Sequence, residues 1–362
     1  MKFFVCIANI FYINFILFIK KKINKKKIII FYHPNVKLIN INTKFIENLL
    51  NHKKYFVIHL HQNHLLNKNK YFFLINYFCK FIINSDYFIS NNVCDFFSHR
   101  SKRIYIHHDI YDTPLIDKKK EGDLRLRLSK YQYILLASNI TKKIFSDLFE
   151  NYKKKPKIKV IGYFKLDVML DNRINKKKKV SEKSIIIAPT NYLAFKKFSL
   201  YRHLDELIAT LLKLNEYNII FRPHPSNINS FNVTQILNKY SNFNKFYFDK
   251  SSDYSKTYLN SLALITDISG TAYTYAFYTK NPVIFFRTYK KFLEKKFHNL
   301  KYFQDRKKIG TIFDSLKSFK KINLVIAKKV TFKKNIMKIL KNNFSIGKTK
   351  NNLFTFLENI SE

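Results

Sequence analysis

Leu262-Ala-Leu-Ile-Thr266-Asp-Ile-Ser-Gly270-Thr-Ala-Tyr-Thr-Tyr-Ala-Phe-Tyr278, followed after Thr279-Lys-Asn281 by Pro282-Val-Ile-Phe-Phe286, decides the fold class. An apolar run of strand length enters a polar turn, the turn opens a short helical stretch, and a second apolar run follows a proline. Strand, turn, helix, strand is the repeating unit of a parallel sheet, because a parallel partner requires a crossover and a helix is the usual one.

The same unit extends upstream. Ser184-Ile-Ile-Ile-Ala188 reads as a strand, Leu204, Leu207, Ile208, Leu211 and Leu214 fall on one helical face, and Asn218 to Phe221 reads as the next strand. In the first half the strand-length runs are Lys27 to His33, Tyr55 to His61, Asp86 to Ser90, Arg103 to His107, Tyr133 to Ala137 and Lys157 to Ile161. Helical spacing separates some of them, over Lys70 to Asn84 and Ile140 to Tyr152. Between the halves, Asp171 to Ser184 carries four consecutive lysines and no apolar period, as a linker does.

The expected organisation is therefore an apolar and basic segment over 1–26, an acceptor-side Rossmann-like domain over 27–170 and a linker over 171–183. A donor-nucleotide Rossmann-like domain over 184–325 and a helical tail over 326–362 complete it. Two such α/β domains, with mostly parallel sheets facing an interdomain cleft, make the GT-B architecture. No Gly-rich dinucleotide fingerprint is present, which argues against an NAD enzyme.

Composition narrows the field. At 46% hydrophobic with 37 Phe, the chain is too apolar for a disordered protein despite its net charge of +43. That charge does not point to nucleic acid: Lys, Asn, Ile and Phe are abundant along the whole chain, whereas a binding patch is local. The lysine runs at 20–22, 25–27 and 176–179 read as solvated connecting segments. Cys6, Cys79 and Cys94 are widely spaced, so neither a disulfide framework nor a zinc site is indicated, and a reducing compartment fits. Phe3 to Ile19 is nearly continuous apolar sequence, but it is short for a membrane span and carries Asn9 and Asn14. The lysines that follow it oppose export, so it reads as an interfacial anchor that keeps the chain cytoplasmic and peripheral to an anionic membrane; a first core element is the other reading.

Three constellations carry chemistry. In Ile219-Ile-Phe-Arg222-Pro-His224-Pro225-Ser226, each proline holds the residue before it out of a helix, so Arg222 and His224 project from a stiff loop at a strand end. Arg suits phosphate oxygens, and His can donate a hydrogen bond or proton as a phosphate leaves. A rigid surface turn is the simpler alternative. In Thr266-Asp267-Ile268-Ser269-Gly270-Thr271, backbone N–H groups and two hydroxyls at a helix start make an anion site, with Asp267 supporting the turn; plain helix capping can coexist with this. Thr190, just past the strand at Ser184, adds a weaker candidate contact. The third constellation is His107-His108-Asp109-Ile-Tyr111-Asp112-Thr113-Pro-Leu115, where a His at a strand exit can take a proton and an Asp can orient it. Metal ligation is not favoured, because adjacent residues of a strand face opposite ways. His59, His61 and His64 read as structural or acceptor-proximal.

In order and spacing these segments resemble the CDP-glycerol glycerophosphotransferase family, the teichoic-acid-polymerase-like enzymes. The segments are KIKVIGYFKLD at 157–167, Ala188-Pro-Thr190, Arg222-Pro-His224-Pro225 and TDISGTAYTYAFYTKNPVIFF at 266–286. The resemblance implies a GT-B transferase that moves a polyol phosphate from a CDP-linked donor to a membrane-associated or glycan hydroxyl acceptor, releasing CMP. It implies no resident cofactor, and it leaves metal dependence open. It puts His224 on the donor diphosphate, with Arg222, Asp267, Ser269, Gly270, Thr271 and Thr190 around it, and a first-domain His as base. The chain departs from the family's Trp-His-Gly-Thr-Pro-Leu stretch: aligning Thr113-Pro-Leu115 puts Tyr111 at the base position, whereas an insertion restores His108, the preferred choice. Gly270 stands for the second Ser of T-D-x-S-S, and Phe164-Lys165 for Pro-Arg. A nucleotide-sugar glycosyltransferase on the same fold, and a non-catalytic basic membrane- or nucleic-acid-binding protein, are the competing readings.

Overall fold

The protein is described from a computed structural model, which covers residues 15, 27–33, 54–61, 85–91, 93, 101–111, 124–174, 183–192, 196, 198–251, 253–287 and 297–360. The apolar segment at 3–19 apart from Phe15, the helix expected at 70–84, the linker core at 175–182, residues 112–115, His64 and the three cysteines lie outside the described residues. So do the side chains of His59 and His61.

Twelve strands among the described residues form two six-stranded sheets, and every pairing is parallel. The first sheet contains β1 (Lys27–His33), β2 (Tyr55–His61), β3 (Tyr87–Ser90), β4 (Lys102–Ile106), β5 (Tyr133–Leu136) and β6 (Lys157–Val160) in the order β2-β1-β3-β4-β5-β6. The second contains β7 (Ser184–Ile187), β8 (Asn218–Phe221), β9 (Phe246–Phe248), β10 (Ala263–Thr266), β11 (Val283–Phe286) and β12 (Gly310–Phe313) in the order β12-β11-β10-β7-β8-β9. The inner strands β7, β10 and β11 are buried along their whole length, which is why they read as unbroken apolar runs rather than alternating ones.

The chain divides into two units: 1–108, 117–165 and 348–362 form one, and 109–116 with 166–347 form the other. The division does not follow sequence order. Helix α1 (Asn139–Leu148) follows β5 and starts at a capping box in which Ser138 and Thr141 satisfy one another's backbone N–H groups. Helix α2 (Phe164–Ile174) follows β6. In the second unit, α3 (Leu204–Leu214) buries Leu204, Leu207, Ile208 and Leu211, the expected stripe, with Asp205 and Glu206 in its first turn. It stops at Asn215, in the left-handed region at φ 55°. Helices α4 (Phe231–Tyr240) and α5 (Ser255–Leu259) flank β9. Helix α6 (Thr271–Thr279) buries every residue from Ala272 to Thr279, so it is a core helix with no solvent face.

Gly310 fixes one strand contact. A Cβ there would fall inside the carbonyl of Val283, its partner across β11 and β12, so only glycine allows this approach. Helix α7 (Lys329–Asn343) belongs to the second unit, whereas α8 (Thr349–Asn359) belongs to the first. Leu353, Phe356 and Leu357 of α8 enter the cluster formed by Ile29, Tyr87 and Ile104 of the first sheet. The Tyr87 hydroxyl donates to the Leu357 carbonyl at 2.8 Å, and Asn352 donates to the Ile161 carbonyl at 3.0 Å. Gly162, at φ 110°, passes so close to Thr349 that a Cβ would meet its hydroxyl.

Candidate functional site

The second sheet reverses direction at its first strand. From β7 the chain moves outward to β8 and β9, then returns to build β10, β11 and β12 on the other side. A crevice opens at the carboxyl ends of β7 and β10 in such a sheet, and ligands of open α/β folds bind there. Register places Ile187 of β7 level with Phe221 of β8 and Ile265 of β10. Thr190, Arg222, His224 and the turn at 267–271 therefore leave the sheet on one edge, from three adjacent strands.

Asp267 joins these exits. Its carboxylate accepts from Thr190 N at 2.9 Å and Ile268 N at 2.7 Å through Oδ1, and from Leu200 N at 2.8 Å through Oδ2. The residue is 2% exposed, and burial pushes its carboxyl up to about 6, against the three N–H donors that favour the charged form. Grouped from sequence with the phosphate contacts, Asp267 lies underneath the turn and pins the β7 exit to the β10 exit. Asn227, also buried, ties in the third exit: its Oδ1 accepts from Tyr192 N at 3.0 Å.

His224 is half-buried and precedes a short 3-10 turn, Pro225–Asn227. Its Nδ1 accepts from Ser226 N at 3.2 Å, so the neutral ring carries its proton on Nε2. Arg222 is committed differently from the expectation of a free phosphate fork. Its Nη1 pairs with Asp249 Oδ2 at 2.8 Å, Nη2 donates to the Ser251 carbonyl at 2.9 Å, and the guanidinium lies 4.5 Å from the Tyr254 ring centre. Burial acts to raise the Asp249 carboxyl, but Arg222 and the hydrogen bonds from Ser251 and Thr257 outweigh it and hold the group below its usual value. Tyr254 packs on Tyr258 at 4.6 Å, and the Tyr258 hydroxyl bonds the hydroxyl of Thr271, so the loop after β8 and the start of α6 share one aromatic pair.

Ser269, Gly270 and Thr271 are each half-exposed. Gly270 is the N-cap of α6 and provides no side-chain bond, while Ser269 Oγ accepts from Thr271 N at 3.4 Å. The carbonyls of this turn face inward: Arg306 Nη2 donates to Asp267 O at 3.0 Å and the Tyr302 hydroxyl to Ser269 O at 2.9 Å.

In the first unit the two histidines after β4 part company. His107 is 7% exposed, with Nδ1 3.2 Å from the Tyr105 hydroxyl and its ring edge-on to Phe145. His108 is exposed, and its carbonyl accepts from Tyr163 in the KIKVIGYFKLD segment at 3.2 Å. Tyr111, the alternative base position, is fully buried in the second unit. It stacks on Tyr273 with centroids 3.8 Å apart and planes 7° from parallel, and its hydroxyl donates to Asp305. Among the described residues no three His, Cys, Asp or Glu side chains gather as a metal site.

The family model described as CDP-glycerol:poly(glycerophosphate) glycerophosphotransferase matches residues 13–304. The chain belongs to this family. The minor teichoic acid biosynthesis protein GgaB of Bacillus subtilis (strain 168) is 26% identical over 254 residues, covering 58% of this chain and 26% of GgaB. The chain thus spans about a quarter of that relative's length. The wall teichoic acid polymerase TagF aligns with a TM-score of 0.60 at 16% identity, over 92% of this chain and 89% of its own. A variant of the same polymerase soaked with CDPG gives 0.60 at 17%, over 92% and 88%. The UDP-GlcNAc 2-epimerase of Methanocaldococcus jannaschii gives 0.57 at 14%, over 92% and 99%. These likenesses establish the GT-B-like fold.

Several residues of this edge escaped the sequence reading. Asp249 follows β9 directly, so the strand-exit rule that found Arg222 applies to it equally. Asn227, Tyr302 and Arg306 carry no such signal.

Proposed function

We propose that the chain transfers a polyol phosphate, glycerol phosphate or a close relative, from a CDP-linked donor to a hydroxyl acceptor during assembly of a teichoic-acid-like surface polymer. The acceptor oxygen bonds to the phosphorus that carries the polyol. The bond from that phosphorus to the bridging oxygen breaks, CMP leaves with that oxygen, and the hydroxyl proton passes to a base. The observation that supports this reading is the convergence of Thr190, His224 and the Ser269–Thr271 helix start on one sheet edge, at the switch point, in a chain of this family.

Transfer of this kind asks the protein mainly for positioning and charge stabilisation. His224 offers Nε2–H to the diphosphate, because Ser226 fixes the other nitrogen as an acceptor. Ser269, Gly270 and Thr271 supply donors at the start of α6. Arg222, paired with Asp249, orders the turn at Ser251 and Tyr254 rather than gripping phosphate. His108, exposed at the β4 exit, takes the hydroxyl proton.

The test is a donor screen that reads the released nucleotide, with His224→Ala beside the natural protein. CMP from CDP-glycerol, and a loss of about 10²–10³-fold in turnover in the variant with its thermal unfolding unchanged, is the expected result. UMP or GMP released as readily from nucleotide sugars, or full activity in His224→Ala, overturns the reading.

We further propose that the chain docks on an anionic membrane surface through α7. Residues 315–347 contain nine lysines and no Asp or Glu, a local bias rather than the global one. Val330, Lys334, Met337 and Lys341 recur at four- and three-residue steps on one exposed face, while Phe332, Ile336 and Ile339 are buried opposite. No helix among the described residues is long and apolar enough to cross a membrane. Sedimentation with anionic but not neutral vesicles, weakened by Lys334→Glu and Lys341→Glu together, is expected; equal sedimentation with both vesicles refutes it.

A further inference from the structure

The amino-terminal ends of β8 and β9 carry an open groove of about 820 Å³, on the edge of the second sheet opposite to Arg222, His224 and the 267–271 turn. Helix α3 ends there at Asn215 and α4 at Ser241, and a tight turn through Phe243 leads on into β9. Leu212, Tyr240 and Phe243 give the groove its apolar part. Lys213, Lys239 and Lys245 also line it, and no Asp or Glu does so among the described residues. Asn215, Asn242 and Asn244 add amide groups.

Two of the lysines have partners. Lys239 pairs with Asp205 at 2.8 Å, outside the lining, in an exposed pair that water screens. Lys245 Nζ donates to the Asn215 carbonyl at 2.6 Å and closes the end of α3. Lys213, exposed in the last turn of α3, makes no bond among the described residues. Lysines at helix ends complement the helix dipole, which accounts for their positions. It does not account for Phe243. That ring is 51% exposed, yet its turn is fixed by Phe243 N donating to the Tyr240 carbonyl at 3.0 Å and Phe246 N to the Phe243 carbonyl at 2.9 Å. The ring centre lies 5.6 Å from that of Tyr240. An apolar concavity with a few placed polar groups around it is the ordinary form of a ligand site.

We infer that this groove binds an anionic chain of polyol phosphates at a site separate from the donor turn. The lining matches the repeat of such a chain. Each phosphodiester carries a negative charge, which the lysine ammonium groups attract as point charges. The carbon atoms of the polyol can lie on Leu212 and Phe243, and its hydroxyls can exchange hydrogen bonds with the three amides. Single-stranded nucleic acid calls for successive rings on which bases stack, whereas Phe243 is the one exposed ring of this lining among the described residues. A free phosphate has no use for the ring. Opening at the opposite ends of the strands from His224, the groove can hold the chain without occupying the donor turn. The inference rests on the proposed reaction for the identity of the polymer.

The test is fluorescence anisotropy with a labelled synthetic poly(glycerol phosphate) chain at an ionic strength of about 0.15 M. Lys213→Glu and Phe243→Ala are each expected to weaken binding about tenfold, and Lys143→Glu, an exposed lysine of α1 in the first unit, to leave it unchanged. Equal weakening by Lys143→Glu would make diffuse charge the cause. Oligothymidylate of the same charge, bound as tightly and with the same dependence on Phe243, would make the groove a nucleic-acid site. Either result overturns the inference, as does a natural protein that does not bind the chain. If Lys213→Glu does not fold, Lys213→Ala carries the same comparison. CMP release separates the groove from the proposed reaction. Chain binding that both variants weaken, without CMP release from any CDP-polyol by the natural protein, sinks the reaction and keeps the groove. CMP release with chain binding unchanged in both variants sinks the groove and keeps the reaction.

Discussion

Replacing Asp267 with Asn tests the joint between the β7 and β10 exits, and its effect depends on pH with a definite sign. The buried carboxyl moves from an ordinary 3.8 to about 6. That gap of roughly two pH units corresponds to about 3 kcal/mol between the protonation states. A raised value means that the folded chain holds this proton more tightly than the unfolded chain between about pH 4 and pH 6. The stability contributed by Asp267 is therefore full below about pH 4 and falls as pH rises through 6. Asn does not titrate. It can also keep only one acceptor oxygen among the Thr190, Ile268 and Leu200 amides, so an amide donor is left facing an N–H, at a cost of about 1–3 kcal/mol. Urea unfolding of both proteins from about pH 4 to pH 7 is expected to show the advantage of the natural protein shrinking by about 3 kcal/mol as pH rises. A flat difference would mean that Asp267 is not buried as described. A difference that widens with pH would mean that the three amides outweigh the burial, and the reasoning would be refuted.

Gly310→Ala drives a methyl group into the Val283 carbonyl and is expected to cost about 3 kcal/mol or more, read as a lower urea midpoint. Tyr111→Phe keeps the stacking on Tyr273 and loses the bond to Asp305, so stability should fall by about 1–3 kcal/mol while turnover per folded molecule stays unchanged. Lost turnover in a folded Tyr111→Phe would return Tyr111 to the chemistry. Leu357→Ala, in a fully buried position of α8, should lower stability by about 2–5 kcal/mol and speed hydrogen exchange in β1 and β3 of the first unit before the second. Uniform exchange across both sheets would contradict the assignment of α8 to the first unit.

The strands were legible because each inner one is covered on both faces and so appears as an unbroken apolar run. Ile28 to Phe31, Ile185 to Ile187 and Val283 to Phe285 are all fully buried. Their neighbours were not legible. The first sheet places β1 between β2 and β3, whereas the second places β7 between β8 and β10 with β9 at the far edge, and both orders arise from the same alternation of strands and helices. Pairing is a long-range choice made by helix packing, and no local period records it. The return of α8 to the first sheet was hidden for the same reason: its apolar residues show that one face is buried but not against what.

At the candidate site the sequence exposed the residues that sit at strand exits beside prolines or helix starts, namely His224, Thr190 and Ser269 to Thr271. It did not expose how the charges around them are paired. By strand-exit logic Arg222 is the phosphate-binding cation, yet Asp249, 27 positions on in a different loop, lies 2.8 Å from it and cancels most of its field. By composition Asp267 belongs to a polar turn, yet it is buried and receives backbone N–H groups, whereas an exposed carboxylate would repel the phosphate. What an anionic ligand meets is the sum of charges after pairing, and an ion pair acts on it only as a weak dipole. Arg306, which donates to the Asp267 carbonyl from behind the turn, has no sequence mark, because its environment, Phe285, Tyr302 and Phe303, consists of rings that read as ordinary core.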